Sequence, residues 1–328
     1  MRMRTAGVFA VSAVLTATAA CGADSAGSAQ TGGPSGGSGS SAAGKTGVTA
    51  AMYPLQWLAE RVGGPDATVT GLTEPGVEPH DLELTPVQVA GLEKTGLVVY
   101  IKGVQPAVDE AVEQHAADRG FDAVTAVTTL PATAEEGHDE HGAEEAAHEG
   151  EEAHEHEVDY DPHIWLDPAR FATVATKLGE RLAAADPAHA QGYKDRAAKT
   201  AAELNALDGE LAKGLGTCSA DAIVTSHAAF GYLADRYKLH QIGISGIDPD
   251  AEPSPARLAE VAKVAKQEKV TTIFTETLVS PKVAEVLAQE IGAKTAVLDP
   301  VESQPANGDY LSAMRQNLTV LRAALSCS

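Results

Sequence analysis

Eleven histidines lie in this chain of 328 residues, and their surroundings sort them into three groups. Five of them, His138, His141, His148, His154 and His156, crowd among glutamates and aspartates in a run without lysine or arginine. Neutral imidazole and carboxylate are the ligands that borderline divalent metals prefer, so the run can gather such ions. Acidic low-complexity stretches are solvated, and exposed imidazoles there make several weak sites rather than one tight one. His80, His163 and His227 sit instead in proline-bracketed or apolar frames, GVEPHDLELTP, DPHIWLDP and VTSHAAFGYLADRY. A frame of that kind can hold one ring in one place. His115, His189 and His240 have no such setting and read as surface or packing residues.

The elements that must position these rings follow from the hydrophobic pattern. VTAAMY reads as a strand, then Leu55, Leu58 and Val62 mark an amphipathic helix ended by Gly63-Gly64. ATVTGL is the next strand and runs into a loop with Pro75, Pro79 and Pro86 around His80. Thr85-Pro86-Val87-Gln88 has an N-cap, a proline at N1 and glutamine at N3, so it opens a helix. LVVYI is a wholly apolar strand of the kind a parallel sheet buries on both faces. A helix from about Val104 to Arg119 and a strand near Asp122–Val127 follow. Asp167-Pro168 again reads as N-cap and N1, and Leu178, Leu182, Leu204, Leu207, Leu211 and Leu215 continue at helical spacing. Pro187 interrupts them, which predicts a long helix with a kink or break. A second series has the strands DAIVTS, QIGISGI, TTIFTE and TAVLD, with helices from about Ala228, after Ser254-Pro255 and after Ser280-Pro281, and a last one from Asp309 to Leu325. Strands alternating with helices predict an α/β fold of two doubly wound parallel-sheet lobes, joined by a long helix with a cleft between them. The expected segments are an N-terminal lobe over 48–130, the His-rich acidic loop over 131–160, a connector over 161–215 and a C-terminal lobe over 216–328.

Open α/β sheets bind ligands outside the carboxyl ends of their strands. His80 follows the second strand, His227 follows DAIVTS, Asp299 and Glu302 follow TAVL, and His163 directly precedes the connector. These groups can converge on the cleft. Trp165 and Phe230 would wall such a site. A formal net charge of −22 argues against nucleic-acid binding, which needs a basic footprint. Arg2 and Arg4 precede an apolar run to Ala20 that is too short to cross a membrane and reads as a signal peptide over 1–20. Thr18-Ala19-Ala20-Cys21 is like a lipoprotein cleavage site, although Thr18 stands where leucine is usual, so lipidation at Cys21 is expected, with a flexible tether over 21–47. In an exported protein Cys218 and Cys327 are candidates for a disulfide, and a loop of about 100 residues closed by one contributes up to roughly 4–5 kcal/mol.

YPLQWLAERVGG, GVEPHDLELTP, DPHIWLDP and VTSHAAFGYLADRY together resemble the zinc-binding solute-binding proteins of ABC importers, of the subclass with a rigid helix between two α/β lobes. The resemblance runs from about Val48 to the C-terminus. It implies that His80, His163 and His227 bind the metal. Zinc members have histidine at the third position, manganese members commonly a carboxylate, and three imidazoles favour Zn2+ over the harder Mn2+. The acidic His-rich insertion is likewise a feature of zinc members. The fourth ligand in the family is Asp, Glu or water; LDPVE resembles the branch that points to Glu302, with Asp299 second. The expectation is then a monomeric, non-enzymatic lipoprotein outside the cell membrane that captures Zn2+ and passes it to an ABC transporter permease. Zinc affinity is expected to fall below about pH 6.5, the unperturbed histidine value. Two other readings stand beside it. Three protein ligands and a water also describe a secreted zinc-dependent hydrolase, although the chain has no HExxH motif. A surface adhesin could use the same metal structurally.

Overall fold

A computed structural model describes residues 44–132 and 158–328. The signal peptide, Cys21 and the histidines from His138 to His156 lie outside the described residues. The first strand, β1, covers Thr46–Ala50 and starts slightly before the expected Val48. Helix α1 (Tyr53–Gly63) takes Pro54 into its first turn, buries Leu55, Trp57, Leu58 and Val62, and ends at Gly64, whose φ of 54° suits a residue without a Cβ. Then come β2 (Ala67–Gly71), α2 (Pro86–Leu92), β3 (Leu97–Tyr100), α3 (Pro106–His115) and β4 (Gly120–Asp122). The capping box of Thr85 and Gln88 forms as the sequence predicts. The sheet is wholly parallel, in the order β2-β1-β3-β4.

Two predictions in this lobe need correction. The strand expected at Asp122–Val127 ends at Asp122, and Ala123–Ala126 form a 3-10 turn. The Asp122 carboxylate accepts from the Val124 and Lys102 amides at 3.1 and 3.2 Å, which turns the chain out of the sheet. The helix expected from Val104 to Arg119 is shorter at both ends, because Gln105 before Pro106 is extended and Ala116 is no longer helical.

The connector breaks at Pro187, one of the two outcomes expected there. Helices α4 (Pro168–Ala185) and α5 (Ala190–Leu215) are separated by a turn at Pro187–His189 and pack along one another as a hairpin, which the sequence did not indicate. Pro187 has no amide to continue α4. Gly179 allows the close approach: a Cβ there would lie 2.5 Å from the Ala197 Cβ. The joining helix is α5, which packs against α1 of the first lobe.

The second lobe has β5 (Ala222–Thr225), α6 (Gly231–Tyr237), β6 (His240–Gly243), α7 (Pro255–Gln267), β7 (Thr272–Thr275), α8 (Lys282–Ile291), β8 (Lys294–Val297) and α9 (Tyr310–Ala324). Its parallel sheet runs β6-β5-β7-β8, the same order as the first. α5 reaches this lobe through α6 and α9. Trp57 of α1, Phe171 of α4 and Tyr310 of α9 form one buried aromatic cluster with ring centroids 4.9–6.2 Å apart. The lobes therefore share a core. Cys218 and Cys327 are joined in a disulfide with a sequence separation of 109, which ties the C-terminus to the segment after α5. It lies beyond the amino end of β5, whereas the histidines gather at the carboxyl ends.

Candidate metal centre

His80, His163, His227 and Glu302 converge on one point. One ligand atom from each lies within 4.8 Å of all the others. Glu302 Oε1 is 3.5, 3.8 and 3.7 Å from Nε2 of His80, His163 and His227. A zinc ion with nitrogen and oxygen ligands at about 2.0–2.1 Å in a tetrahedron needs its donors about 3.4 Å apart. The observed spacings therefore suit a small four-coordinate ion. The three rings and the carboxylate are removed from water: His163 and His227 are fully buried, Glu302 is 1% exposed and the His80 side chain 8%. Among the described residues no hydrogen bond reaches Nε2 of His80, Nε2 of His227 or Oε1 of Glu302, although all three atoms are buried. Buried polar atoms without partners are costly, so the chemistry of the set asks for a cation.

Each ring is delivered by a different part of the fold. His80 rides the long loop between β2 and α2, and its amide donates to Glu78 at 3.2 Å. His163 stands just ahead of the 3-10 turn Ile164–Leu166 that leads into α4. His227 follows β5 in a turn that postpones α6 to Gly231, three residues later than predicted. The cause lies in the hydrogen bonds of the turn: the Thr225 hydroxyl donates to the His227 carbonyl at 2.6 Å, Glu276 accepts the His227 amide at 3.0 Å, and the Ala228 amide donates to the Gly246 carbonyl. Glu302 comes from the turn after β8. Asp299, the second choice for fourth ligand, is not part of the cluster; its Oδ1 accepts the Val301 amide at 2.8 Å.

Two carboxylates that sequence reasoning passed over fix the rings. Asp161 Oδ1 lies 2.7 Å from His163 Nδ1, and Glu276 Oε2 lies 2.6 Å from His227 Nδ1. A carboxylate on Nδ1 selects the tautomer that turns the Nε2 lone pair inward and makes it a better donor. Glu276 ends TTIFTE at the carboxyl end of β7, so the strand-end rule that singled out His227 could have found it. Burial is the largest single influence on His227 and disfavours its imidazolium, but the Glu276 charge and hydrogen bond, with the charges of Glu302 and Glu78, together outweigh it and raise its pKa to about 9. Burial pushes Asp161 up to about 7 against the His163 amide, and burial with the Glu302 charge raises Glu78 to about 7. Trp165 is buried against the His163 ring, 5.1 Å between centroids, and Phe230 is buried nearby in sequence to His227. His115 and His189 pair elsewhere, with Glu93 and Asp186, and His240 is exposed on β6, the edge strand of its sheet.

With this geometry in hand, comparison with known proteins is decisive. Residues 48–324 match the family described as the zinc-uptake complex component A, periplasmic (ZnuA). The chain belongs to that family. It is 35% identical over 285 residues to the zinc-binding protein AdcA of Streptococcus pyogenes serotype M3, covering 84% of this chain and 55% of that protein. It thus spans about half the length of the streptococcal relatives it matches. It is 32% identical over 284 residues to a putative metal-binding protein of Treponema pallidum, covering 85% of this chain and 87% of the other. Among solved structures, Zn(II)-bound AdcA of Streptococcus pneumoniae aligns with a TM-score of 0.69 at 31% identity, covering 86% of this chain and 58% of that one. The laminin-binding protein Lmb of Streptococcus agalactiae, described as bifunctional with adhesin and metal-transporting activity, aligns with a TM-score of 0.73 at 30% identity, covering 86% and 100%.

Proposed function

We propose that this protein is the extracytoplasmic zinc-capturing component of an ABC importer. It binds one Zn2+ through His80, His163, His227 and Glu302 and delivers it to a membrane permease, working as a single chain held to the membrane through Cys21. The observation that carries this reading is the buried set of three imidazoles and one carboxylate, with Glu302 Oε1 3.5–3.8 Å from each Nε2. Membership of the zinc-uptake family supports it. The zinc is cargo. A carboxylate in the fourth place leaves no position for an activated water, which favours capture over the hydrolase reading. The His-rich run between Glu135 and Glu157 acts as an accessory collector on this view, and its deletion leaves the tightest binding step intact.

The deciding experiment is competitive Zn2+ and Mn2+ titration with metal analysis of the wild type and of His227→Glu. The expected wild type takes one tightly held zinc in preference to manganese, and the substitution shifts the balance toward manganese. A wild type that prefers manganese overturns the zinc assignment. Growth of a deletion strain under zinc limitation tests delivery: a gene copy that fails to restore it argues for the adhesin reading.

A further inference from the structure

The turn that presents Glu302 has a backbone that its sequence alone would not adopt. Val301 is β-branched, fully buried and has a φ of 59°. In this left-handed region the Cβ crowds the carbonyl, and a β-branched residue there is an outlier. Such a conformation persists only where its surroundings over-determine it. Here four backbone groups of the turn are held by side chains. Asn317, buried on α9, accepts the Asp299 amide through Oδ1 at 3.0 Å and donates through Nδ2 to the Asp299 carbonyl at 2.6 Å. The Asp299 carboxylate takes the Val301 amide at 2.8 Å. The indole N–H of Trp165, two residues past His163, donates to the Pro300 carbonyl at 2.7 Å. Just beyond Glu302, Ser303 Oγ accepts the Gly76 amide at 2.7 Å, from the loop that carries His80.

We propose that Asn317 is a positioning residue for zinc: with the Trp165 indole it holds the left-handed Val301 turn that aims the Glu302 carboxylate at the three imidazoles. The inference rests on the reading of Glu302 as fourth ligand. It follows from how the other three are held. His163 and His227 are each fixed by a carboxylate of their own, whereas Glu302 Oε1 has no hydrogen bond among the described residues. Its direction is therefore set by its backbone. Loosening that backbone frees the fourth ligand and leaves the imidazoles in place, so the fourth position passes to water. Asn317 supplies both an acceptor and a donor to the backbone of one residue, Asp299, which an aliphatic residue of the same size cannot do.

The test uses the whole mature chain, with zinc affinity read by chelator competition and the geometry of the site read by visible absorption of bound Co2+, which is strongest in a tetrahedral field. Asn317→Ala is expected to weaken zinc binding by about 10–100-fold, the range for groups that orient metal ligands, and to lower the Co2+ absorption. In a Val301→Gly background the same substitution is expected to cost less than about threefold, because glycine takes a positive φ without a steric penalty. A folded Asn317→Ala protein with zinc affinity and Co2+ spectrum like the wild type overturns the proposal. So does an equal loss in both backgrounds, which would make Asn317 a packing residue only. Should Asn317→Ala lack a native melting transition, Trp165→Phe decides: weakened zinc and a changed spectrum are expected, and an unchanged pair refutes the positioning role. Glu302→Gln is measured alongside. If it leaves affinity and spectrum unchanged, the ligand reading itself is wrong; if it weakens binding while Asn317→Ala does not, only the positioning inference fails.

Discussion

Zinc capture should be controlled by pH well above the ordinary histidine range. The sequence predicts proton competition below about pH 6.5, but His227 in its folded setting has a pKa of about 9 because Glu276 faces its ring 2.6 Å away. Zinc must displace the proton on Nε2. At pH 7 only about 1% of His227 is deprotonated, so apparent affinity lies roughly 100-fold, or about 3 kcal/mol, below its limiting value. The logarithm of affinity should then rise by about one per pH unit from 7 to 9 and flatten above. At pH 8 about 0.9 proton should leave this group for each zinc bound, measurable by calorimetry in two buffers of different ionisation enthalpy. Glu276→Gln gives the counter-test. Without the carboxylate, burial, the largest single influence on His227, is opposed only by the Glu302 and Glu78 charges, so its pKa should fall and the profile above pH 7 should flatten. Loss of the orienting partner should also lower the limiting affinity by about 10–100-fold. Above pH 9 the variant should therefore bind about 10–100-fold more weakly than the wild type, whereas at pH 7 it should bind as tightly or up to about tenfold more tightly. An affinity for the wild type that is flat from pH 7 to 9, with no proton released at pH 8, would refute this reasoning.

The same group sets an opposite trend for the metal-free protein. A histidine whose folded pKa is raised contributes stability below its unfolded value and loses it as pH climbs through the folded value. Scanning calorimetry should thus show the metal-free protein losing up to about 3 kcal/mol between pH 6.5 and 9 from His227, with zinc restoring more stability at higher pH. Replacing Cys218 and Cys327 by serine should cost up to about 4–5 kcal/mol in the chain-entropy account, read in denaturant melts. It should leave zinc affinity within about twofold, since the bond lies at the opposite end of β5 from His227. Gly179→Val should lower the melting temperature by overpacking the α4–α5 hairpin, because the first added carbon already meets Ala197 at 2.5 Å and the Tyr193 carbonyl at 3.3 Å; the expected cost is about 1–3 kcal/mol or more. A melting temperature at the wild-type value would show that the helices can separate.

What the sequence by itself determined is local in origin. The period of the apolar residues marked eight strand positions, with one misplaced by an aspartate turn, and the caps at Thr85 and Asp167 form as written. The strand-end rule brought His80 and His227 to the correct edges of their sheets, because a parallel sheet leaves only one edge for such loops. The tertiary structure decided everything that depends on atoms far apart in the chain. Pro187 announced an interruption, but only packing across Gly179 made a hairpin of it. Asp161 and Glu276 became ring partners through the fold, and Glu276 is 49 residues from the histidine it orients. The different placement of Asp299 and Glu302 is the clearest case. Both follow β8, and no propensity separates them. Asn317 and Trp165, brought in from α9 and from the segment before α4, hold Val301 in a left-handed turn that points one carboxylate into the cage and folds the other back on its own backbone.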